Sequence, residues 1–150
     1  MLLLDKYSKM KWHLIVVYGP TQNESKDHFL AVLADICHRC KGAVVIGGDF
    51  NIIRKTEEKN KPCVLPRWSH IFNAIIDSNG LKEVKLLGRK YTWANNLEEP
   101  TYDKLDRVLG TSEWDLSFPL AVVTGLNREI SDHVPLLLNY GGSFTPLQIV

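Results

Sequence analysis

The sequence predicts a layered α/β domain of the α+β kind. Its first half alternates short β-branched runs with amphipathic helical stretches, and its second half contains several strand-sized segments. The order strand, helix, strand, helix and then several strands is typical of such layered folds. With 150 residues, 45% of them apolar and 23% charged, the chain has the size and composition of one globular domain.

The first predicted strand covers residues 13–18, a β-branched run that Gly19-Pro20 interrupts. This pattern indicates a buried strand that runs into a turn. From Glu24 to Cys40, apolar residues recur at helical spacing. That spacing predicts an amphipathic helix of about four turns.

A second strand and a second helix follow. Residues 43–46 are apolar and β-branched and predict a buried strand that ends at Gly47-Gly48. The apolar residues between Trp68 and Ile76 have helical spacing, and Asn79-Gly80 is a suitable C-terminal cap for this helix.

The second half predicts shorter elements. Residues 90–94, 104–109 and 134–138 are each of strand length and are separated by turn-forming residues. After Gly141-Gly142 no periodicity is visible, and we expect an unstructured tail there.

Charge and cysteine content exclude some classes of protein. Eighteen basic and seventeen acidic residues give a net charge of +1, so any contact with nucleic acid needs a local basic patch. The apolar start, residues 1–4, is too short for a signal peptide because Asp5-Lys6 follows at once, which predicts an intracellular, soluble chain. Three cysteines, an odd number, argue against a disulfide framework.

The segment Gly47–Asn51 has the clearest potential for chemistry. Asp49 and Asn51 project from the end of a buried strand, where α/β proteins commonly place their sites. A carboxylate can bind a hard cation or accept a proton, and a carboxamide can donate to a phosphate oxygen. The alternative is a simple turn, since Gly, Asp and Asn are also turn-forming residues.

Two further segments carry acidic residues and a histidine. In the segment 131–135, the adjacent Asp132 and His133 put a carboxylate and an imidazole at the entrance of a strand. In the segment 105–109, Asp106 lies within an apolar strand, where a buried carboxylate needs a partner. That partner is either the neighbouring Arg107 or His133, whose tautomer Asp106 would then fix.

Taken in order, these segments resemble successive motifs of the endonuclease/exonuclease/phosphatase superfamily. The resemblance covers about residues 12–140, and its motifs are Val17-Tyr18-Gly19-Pro20, Gly48-Asp49-Phe50-Asn51, Tyr91-Thr92-Trp93-Ala94-Asn95, Leu105-Asp106-Arg107 and Ser131-Asp132-His133-Val134-Pro135. The segment from Ile75 through Gly80-Leu81 to Tyr91-Thr92-Trp93, and Glu113-Trp114 with Phe118-Pro119, resemble the branch found in plant LINE-type retrotransposons.

The resemblance implies a catalytic role for five residues in phosphodiester hydrolysis. Tyr18 would contact the scissile phosphate, and Asp49 would orient or deprotonate the attacking water. Asn51 would steady the phosphate in the transition state. Asp106 would orient His133, which would bind or protonate a phosphate oxygen. Which residue is the general base stays open.

The resemblance also implies Mg²⁺ or Mn²⁺ as cofactor, with Asp49, Asn51 and Asp132 in the metal environment. The implied fold is a four-layered α/β/β/α sandwich, and DNA is the implied partner, with the nucleus as a plausible location. An upstream asparagine strand and a strand ending in a metal-binding glutamate belong to the family pattern, and no such segment precedes Lys11.

We therefore expect a single truncated domain over residues 1–150, the C-terminal half of the fold, without most of one sheet. Metal binding and activity should be weak or absent in this fragment, and the missing half or a reverse-transcriptase region are possible partners. A non-catalytic retroelement remnant is the alternative. Hydrolysis of other substrates of the superfamily, such as inositol phosphates, sphingomyelin or poly(A), is a further alternative that the motifs favour less.

Cysteine and histidine content allows a zinc or redox interpretation. Cys37 and Cys40 have the Cys-x-x-Cys spacing, and the further candidate ligands are Cys63, His38 and His70. No second paired cluster follows, so core packing of Cys40 is the favoured interpretation. His28 and His38 are expected to be solvated, and Trp12 and Trp68 are expected to pack in the core, whereas Trp93 lies in a motif near the substrate face of the family.

Overall fold

The computed structural model describes residues 1–141 and the backbone of residues 147–149. The helices in this part are α1 (Lys26–Arg39), α2 (Arg67–Ser78) and α3 (Ser112–Ser117), with 3₁₀ turns at Asn23–Ser25 and Thr56–Glu58. The strands are β1 (Leu2–Leu4), β2 (Lys11–Tyr18), β3 (Val44–Asp49), β4 (Lys82–Glu83), β5 (Leu86–Leu87), β6 (Trp93–Ala94), β7 (Tyr102–Asp103), β8 (Asp106–Gly110), β9 (Val122–Gly125), β10 (Leu136–Asn139) and β11 (Leu147–Ile149).

The larger sheet has five strands in the order β1-β2-β3-β8-β4. Strands β2 and β3 are parallel, and β8 runs antiparallel to β3. In this register Tyr18 lies beside Asp49, and Asp49 lies beside Asp106. Three residues of the candidate site are therefore neighbours across the central strands of one sheet.

A four-stranded sheet, in the order β11-β10-β9-β5, packs on one face of the larger sheet, and β6 and β7 form a separate two-stranded ribbon. The buried core between the two sheets contains Trp12, Val45 and Val108 from the larger sheet and Val123 and Leu136 from the smaller one. Trp114 and Phe118 of the α3 segment extend this core.

The opposite face of the larger sheet is covered by α1 and α2. Leu30 and Leu33 of α1 and Phe72 and Ile76 of α2 pack in one cluster with Ile46 of β3. Because side chains alternate along a strand, β3 supplies Val44 and Ile46 to this cluster and Val45 to the other. Strand β3 is therefore buried on both faces, as its continuous apolar run predicts.

The mixed α and β fold class is confirmed, and both long helices and the strands near residues 13–18, 43–46, 104–109 and 134–138 are present. The segment 90–94 is shorter than predicted, because only Trp93–Ala94 pairs with β7. The short elements with little sequence periodicity were not predicted, namely β1, β4, β5, β7, β9 and α3.

Two expectations about the fold were wrong. We expected most of one sheet to be absent, but the structure has sheets of five and four strands. We also expected an unstructured tail, but residues 147–149 form β11, which pairs antiparallel with β10. The rest of that tail, residues 142–146 and 150, lies outside the described part.

Candidate active site

Asp49 lies at the carboxyl end of β3, where the backbone makes a tight turn. Gly48 has φ +134°, and a Cβ at this position would collide with the carbonyl oxygen of Val17 on the neighbouring strand, so only glycine fits. Asn51 also has a left-handed backbone, with φ +52°, which asparagine tolerates better than most residues. The segment is thus both a turn, as the alternative interpretation held, and the place where two polar side chains converge.

Two hydrogen bonds join Asn51 to the carboxylate of Asp49, and a third joins it to Gly19. The backbone N–H of Asn51 donates to Asp49 Oδ1 (2.8 Å), and its amide Nδ2 donates to Asp49 Oδ2 (3.0 Å) and to the carbonyl of Gly19 (2.7 Å). Both N–H groups of this amide are therefore engaged. In this arrangement the side-chain carbonyl oxygen of Asn51 is the group left for a ligand, and it is an acceptor.

Lys26, at the start of α1, connects the two turns that carry the site. Its ammonium donates to the carbonyls of Pro20 (2.9 Å) and Asn51 (2.8 Å), and the residue is buried. Burial lowers the pKa of Lys26, and the negative charge of Asp49 opposes that change. Sequence reasoning missed this residue, because nothing in a lysine at the beginning of a helix indicates two partners in other segments.

His133 and Asp106 are in direct contact. His133 Nδ1 lies 2.8 Å from Asp106 Oδ2, and His133 Nε2 lies 3.4 Å from Asp49 Oδ2. The hydrogen bond to Asp106 raises the pKa of His133, the desolvation of the ring opposes this, and the charges of Asp106 and Asp49 add to the increase. The sequence left Arg107 and His133 as alternative partners of Asp106, and in the structure the partner is His133.

Arg107 points away from Asp106 and has its own partners. Its guanidinium contacts Glu58 at 3.0 and 2.8 Å and Glu83 at 2.7 Å, and it donates to the carbonyls of Ile52 and Lys104. Burial raises the pKa of Glu83, but the charges of Arg107 and Lys104 outweigh burial and lower it to about 2. This ion cluster anchors the chain that follows Asn51, and no local sequence pattern predicts it.

The carboxylate of Asp49 carries the largest electrostatic perturbation in the site. Burial raises its pKa to about 6, and the nearby negative charge of Asp106 adds to the effect. The backbone N–H of Asn51 and the charges of His133 and Lys26 act in the opposite direction. Burial and repulsion outweigh these opposing effects, so the two neighbouring carboxylates form an environment that favours a further cation.

Tyr18 and Asp132 complete the site at its surface. A groove of about 290 Å³ is lined by Tyr18, Asp49, Asp106, Ser131, Asp132, His133, Val134 and Pro135. Tyr18 is 79% exposed at its edge. The carboxylate of Asp132 accepts a hydrogen bond from the indole N–H of Trp93 (2.9 Å), which lowers the pKa of Asp132. All six residues singled out from the sequence thus lie at one place.

The ligand groups of this site are of the types that bind a divalent cation, but they are fewer than a full coordination shell needs. Among the described residues, one group of potential metal ligands has its donor atoms within 4.8 Å of one another, and it consists of Asp49, Asp106 and His133. Carboxylate oxygens and the free carbonyl of Asn51 are suitable for a hard cation, whereas Mg²⁺ requires six oxygen ligands, some of them water. Asp132, which the sequence suggested as a ligand, is outside this group of three and lines the same groove.

Other residues considered from the sequence lie elsewhere. Cys37 is buried in the core beneath α1, and Cys40 packs against that core from its edge. His28 and His38 are exposed on α1, as expected. Trp12 is buried between the two sheets, and Trp68 packs against the helical core, so both are packing residues as predicted.

Comparison with known proteins agrees with this geometry. The sequence model of the Endonuclease/Exonuclease/phosphatase family matches residues 1–133, and the chain belongs to that family. No curated protein matches the chain. Within the described part, no helix is long and apolar enough to cross a membrane.

Two solved structures illustrate the fold. Beta toxin from Staphylococcus aureus is 14% identical and superposes with a TM-score of 0.62, over 87% of this chain and 53% of that one. The endonuclease domain of TRAS1, a telomere-specific non-LTR retrotransposon, is 12% identical with a TM-score of 0.57, over 87% of this chain and 57% of that one. The chain thus has their fold and spans about half of their length.

Proposed function

We propose that this chain is part of a divalent-metal-dependent phosphodiester hydrolase, a DNA endonuclease of a LINE-type retroelement of the plant branch. The observation that supports it best is the contact of His133 with Asp106 on one ring nitrogen, with Asp49 facing the other. Hydrolysis of a phosphodiester needs a positioned water and groups that stabilise charge on the phosphate, and this arrangement offers both. The fold shared with a retrotransposon endonuclease domain supports the nucleic-acid substrate.

Each residue has a distinct task in this proposal. The carboxylate of Asp49 orients or deprotonates the attacking water. The Asp106 carboxylate accepts a hydrogen bond from the Nδ1–H of His133 and so directs Nε2 towards the groove. There the ring binds or protonates a phosphate oxygen. The exposed phenol of Tyr18 contacts the scissile phosphate at the groove edge. Both amide hydrogens of Asn51 are engaged within the protein, so its side-chain carbonyl oxygen is the group that contacts the metal.

A bound Mg²⁺ or Mn²⁺ would neutralise charge on the phosphate and on the two carboxylates. Asp49 and the carbonyl oxygen of Asn51 would hold it directly, and Asp132, which lines the same groove, would hold its hydration shell. The position of Asp132 outside the group of Asp49, Asp106 and His133 supports this division. Two or three protein oxygens should give weak affinity.

The proposal includes the C-terminal-half assignment. Residues 1–150 form one truncated domain of a four-layered α/β/β/α sandwich, and its partner is an N-terminal half that brings the glutamate ligand. The chain covers 53% and 57% of the two solved structures that share its fold, which supports this assignment. DNA is the proposed partner, and the nucleus is the location where a retroelement endonuclease would act.

The test is a chain in which the 150 residues are joined to an upstream half that carries those two strands. With Mg²⁺ it should nick plasmid DNA, and the 150-residue chain alone should do so weakly or not at all. Asp49→Ala and His133→Ala should abolish nicking, whereas His38→Ala, an exposed histidine on α1, should not. Comparing abasic, intact and RNA substrates defines the specificity.

If the restored chain folds and binds metal but cleaves no phosphodiester, the proposal is wrong and the non-catalytic remnant is the correct interpretation. Equal cleavage by the wild type and both alanine variants would show that another site is responsible.

A further inference from the structure

A second groove, larger than the catalytic one, lies next to it. It has a volume of about 440 Å³ and is lined by Arg89, Lys90, Tyr91, Thr92, Trp93, Ala94, Tyr102, Asn127, Arg128 and Val134. Val134 lines both grooves. We refer to this second groove as the basic aromatic groove.

The groove is fixed to the catalytic site through Asp132. The indole N–H of Trp93 donates to the Asp132 carboxylate (2.9 Å), and Arg128 donates to the Asp132 backbone carbonyl (3.2 Å). Trp93 also pairs with His133 through a backbone bridge. A polymer bound in the basic aromatic groove would therefore continue directly into the catalytic groove.

All the charged residues that line the basic aromatic groove are basic. Arg89, Lys90 and Arg128 contribute three positive charges, and no carboxylate is among the lining residues. Within residues 1–141 none of the three forms a salt bridge, and Arg128 is positioned by neutral partners, the carbonyl of Asp132 and Asn96 Oδ1 (3.0 Å). In a chain with a net charge of only +1, this is the local patch that an anionic ligand requires.

The aromatic side chains of the groove form a platform. The rings of Tyr91 and Tyr102 are stacked, with centroids 5.8 Å apart and an angle of 21° between their planes, and the Lys90 ammonium lies 5.6 Å from the Tyr91 centroid. Tyr102 keeps 39% of its surface exposed, so a further flat ring can extend the stack. Base-aromatic stacking beside cations is the usual way in which proteins hold unpaired nucleotides.

We propose that the basic aromatic groove binds an unpaired nucleic-acid strand next to the scissile phosphate, with a base stacked on Tyr102 and phosphates on Lys90, Arg89 and Arg128. This inference rests on the proposed function, since it names the form of the substrate. A duplex keeps its bases stacked inside and could use only the cations, so the tyrosine platform favours a single strand or a locally opened one.

The experiment is fluorescence anisotropy of the 150-residue chain with a labelled thymidine oligonucleotide of about 12 nucleotides, single-stranded or annealed to its complement. EDTA prevents cleavage, so the result does not depend on activity. The single strand should bind more tightly than the duplex. Tyr102→Ala should weaken single-strand binding on the order of tenfold, and Tyr102→Phe should preserve it.

Salt dependence tests the cations separately. Lys90→Gln should reduce the slope of log K against log salt by about 0.7 for a single strand, because one fewer counterion is released. Lys41→Gln and Tyr7→Ala, exposed residues at the opposite end of the larger sheet, are the matched controls and should change neither slope nor affinity.

Three results would overturn the inference: no binding by the wild type, tighter binding of the duplex, or unchanged affinity of Tyr102→Ala. Failure of the proposed function would give a different result: the chain restored with its upstream half would fold and bind the single strand but would not hydrolyse DNA.

Discussion

Replacing Asp49 by asparagine should remove a pH-dependent destabilisation of the folded chain, although the proposed reaction needs this carboxylate. In the folded state the pKa of Asp49 is raised from 3.8 to about 6, chiefly by burial and then by the charge of Asp106. Each pKa unit corresponds to about 1.4 kcal/mol, so two units give an upper bound of about 3 kcal/mol.

The sign follows from proton binding. Between about pH 4 and pH 6 the folded state retains a proton on Asp49 that the unfolded state has already lost. The free energy of unfolding therefore decreases across this window as the pH rises. An asparagine side chain does not titrate, and its carbonyl oxygen can still accept the backbone N–H of Asn51. The difference in unfolding free energy, variant minus wild type, should thus rise by up to about 3 kcal/mol between about pH 4 and 7.

Urea denaturation followed by far-ultraviolet circular dichroism, in EDTA and at several pH values, measures this difference. Groups that do not interact with Asp49, including Glu83 with its pKa of about 2, titrate alike in both proteins and cancel in the difference. His133 does not cancel, because the charge of Asp49 raises its pKa, so its titration is followed by NMR in both proteins. Asp77→Asn, at the exposed end of α2, is the control for loss of a surface carboxylate. A difference that stays constant over the whole pH range would refute the argument that burial destabilises the charged form of Asp49.

Three further substitutions test the surroundings of the site. Arg107→Met should reduce the free energy of unfolding by about 3–5 kcal/mol, because it leaves the buried carboxylate of Glu58 without its cation, and urea denaturation would detect it. Lys26→Met leaves two backbone carbonyls without a donor and should cost about 2–4 kcal/mol in the same assay; a loss below about 0.5 kcal/mol would contradict the bridging role. Asp106→Asn should lower the pKa of His133 in an NMR titration, and an unchanged pKa would show that the 2.8 Å contact does not govern the ring.

The polar residues of the site were predictable because each follows a recognisable local pattern. Asp49 and Asn51 end a continuous apolar strand, and His133 precedes another, so strand ends could be located and their side chains identified. The contact between Asp106 and His133 was one of two pairings considered for that carboxylate. Asp106 begins β8 of the larger sheet and His133 precedes β10 of the smaller one, so their separation of 27 residues is bridged by the packing of the two sheets, which the sequence does not specify.

The supporting interactions were not predictable for the same reason. Arg107 and Glu58 are 49 residues apart, and Lys26 and Asn51 are 25 apart, so neither pair leaves a local pattern. The short strands β5 and β9 form through pairing with each other and with β10, and their own residues have little periodicity. The amide of Asn51, a residue with a left-handed backbone, likewise contacts Gly19, which is 32 residues away in the sequence.

The positions of the site residues are determined by the strands that carry them. Tyr18, Asp49 and Asp106 occupy adjacent positions on β2, β3 and β8, and cores on both faces of the sheet hold those strands. The strands and the two cores therefore position these residues, and a cation between Asp49 and Asp106 would relieve the repulsion between their charges. A ligand that neutralises both carboxylates binds only the folded state well, so it would stabilise the chain by mass action. Under the proposed function, weak activity would reflect low affinity for the cation, and a further carboxylate ligand should raise activity without moving Tyr18, Asp49 and Asp106.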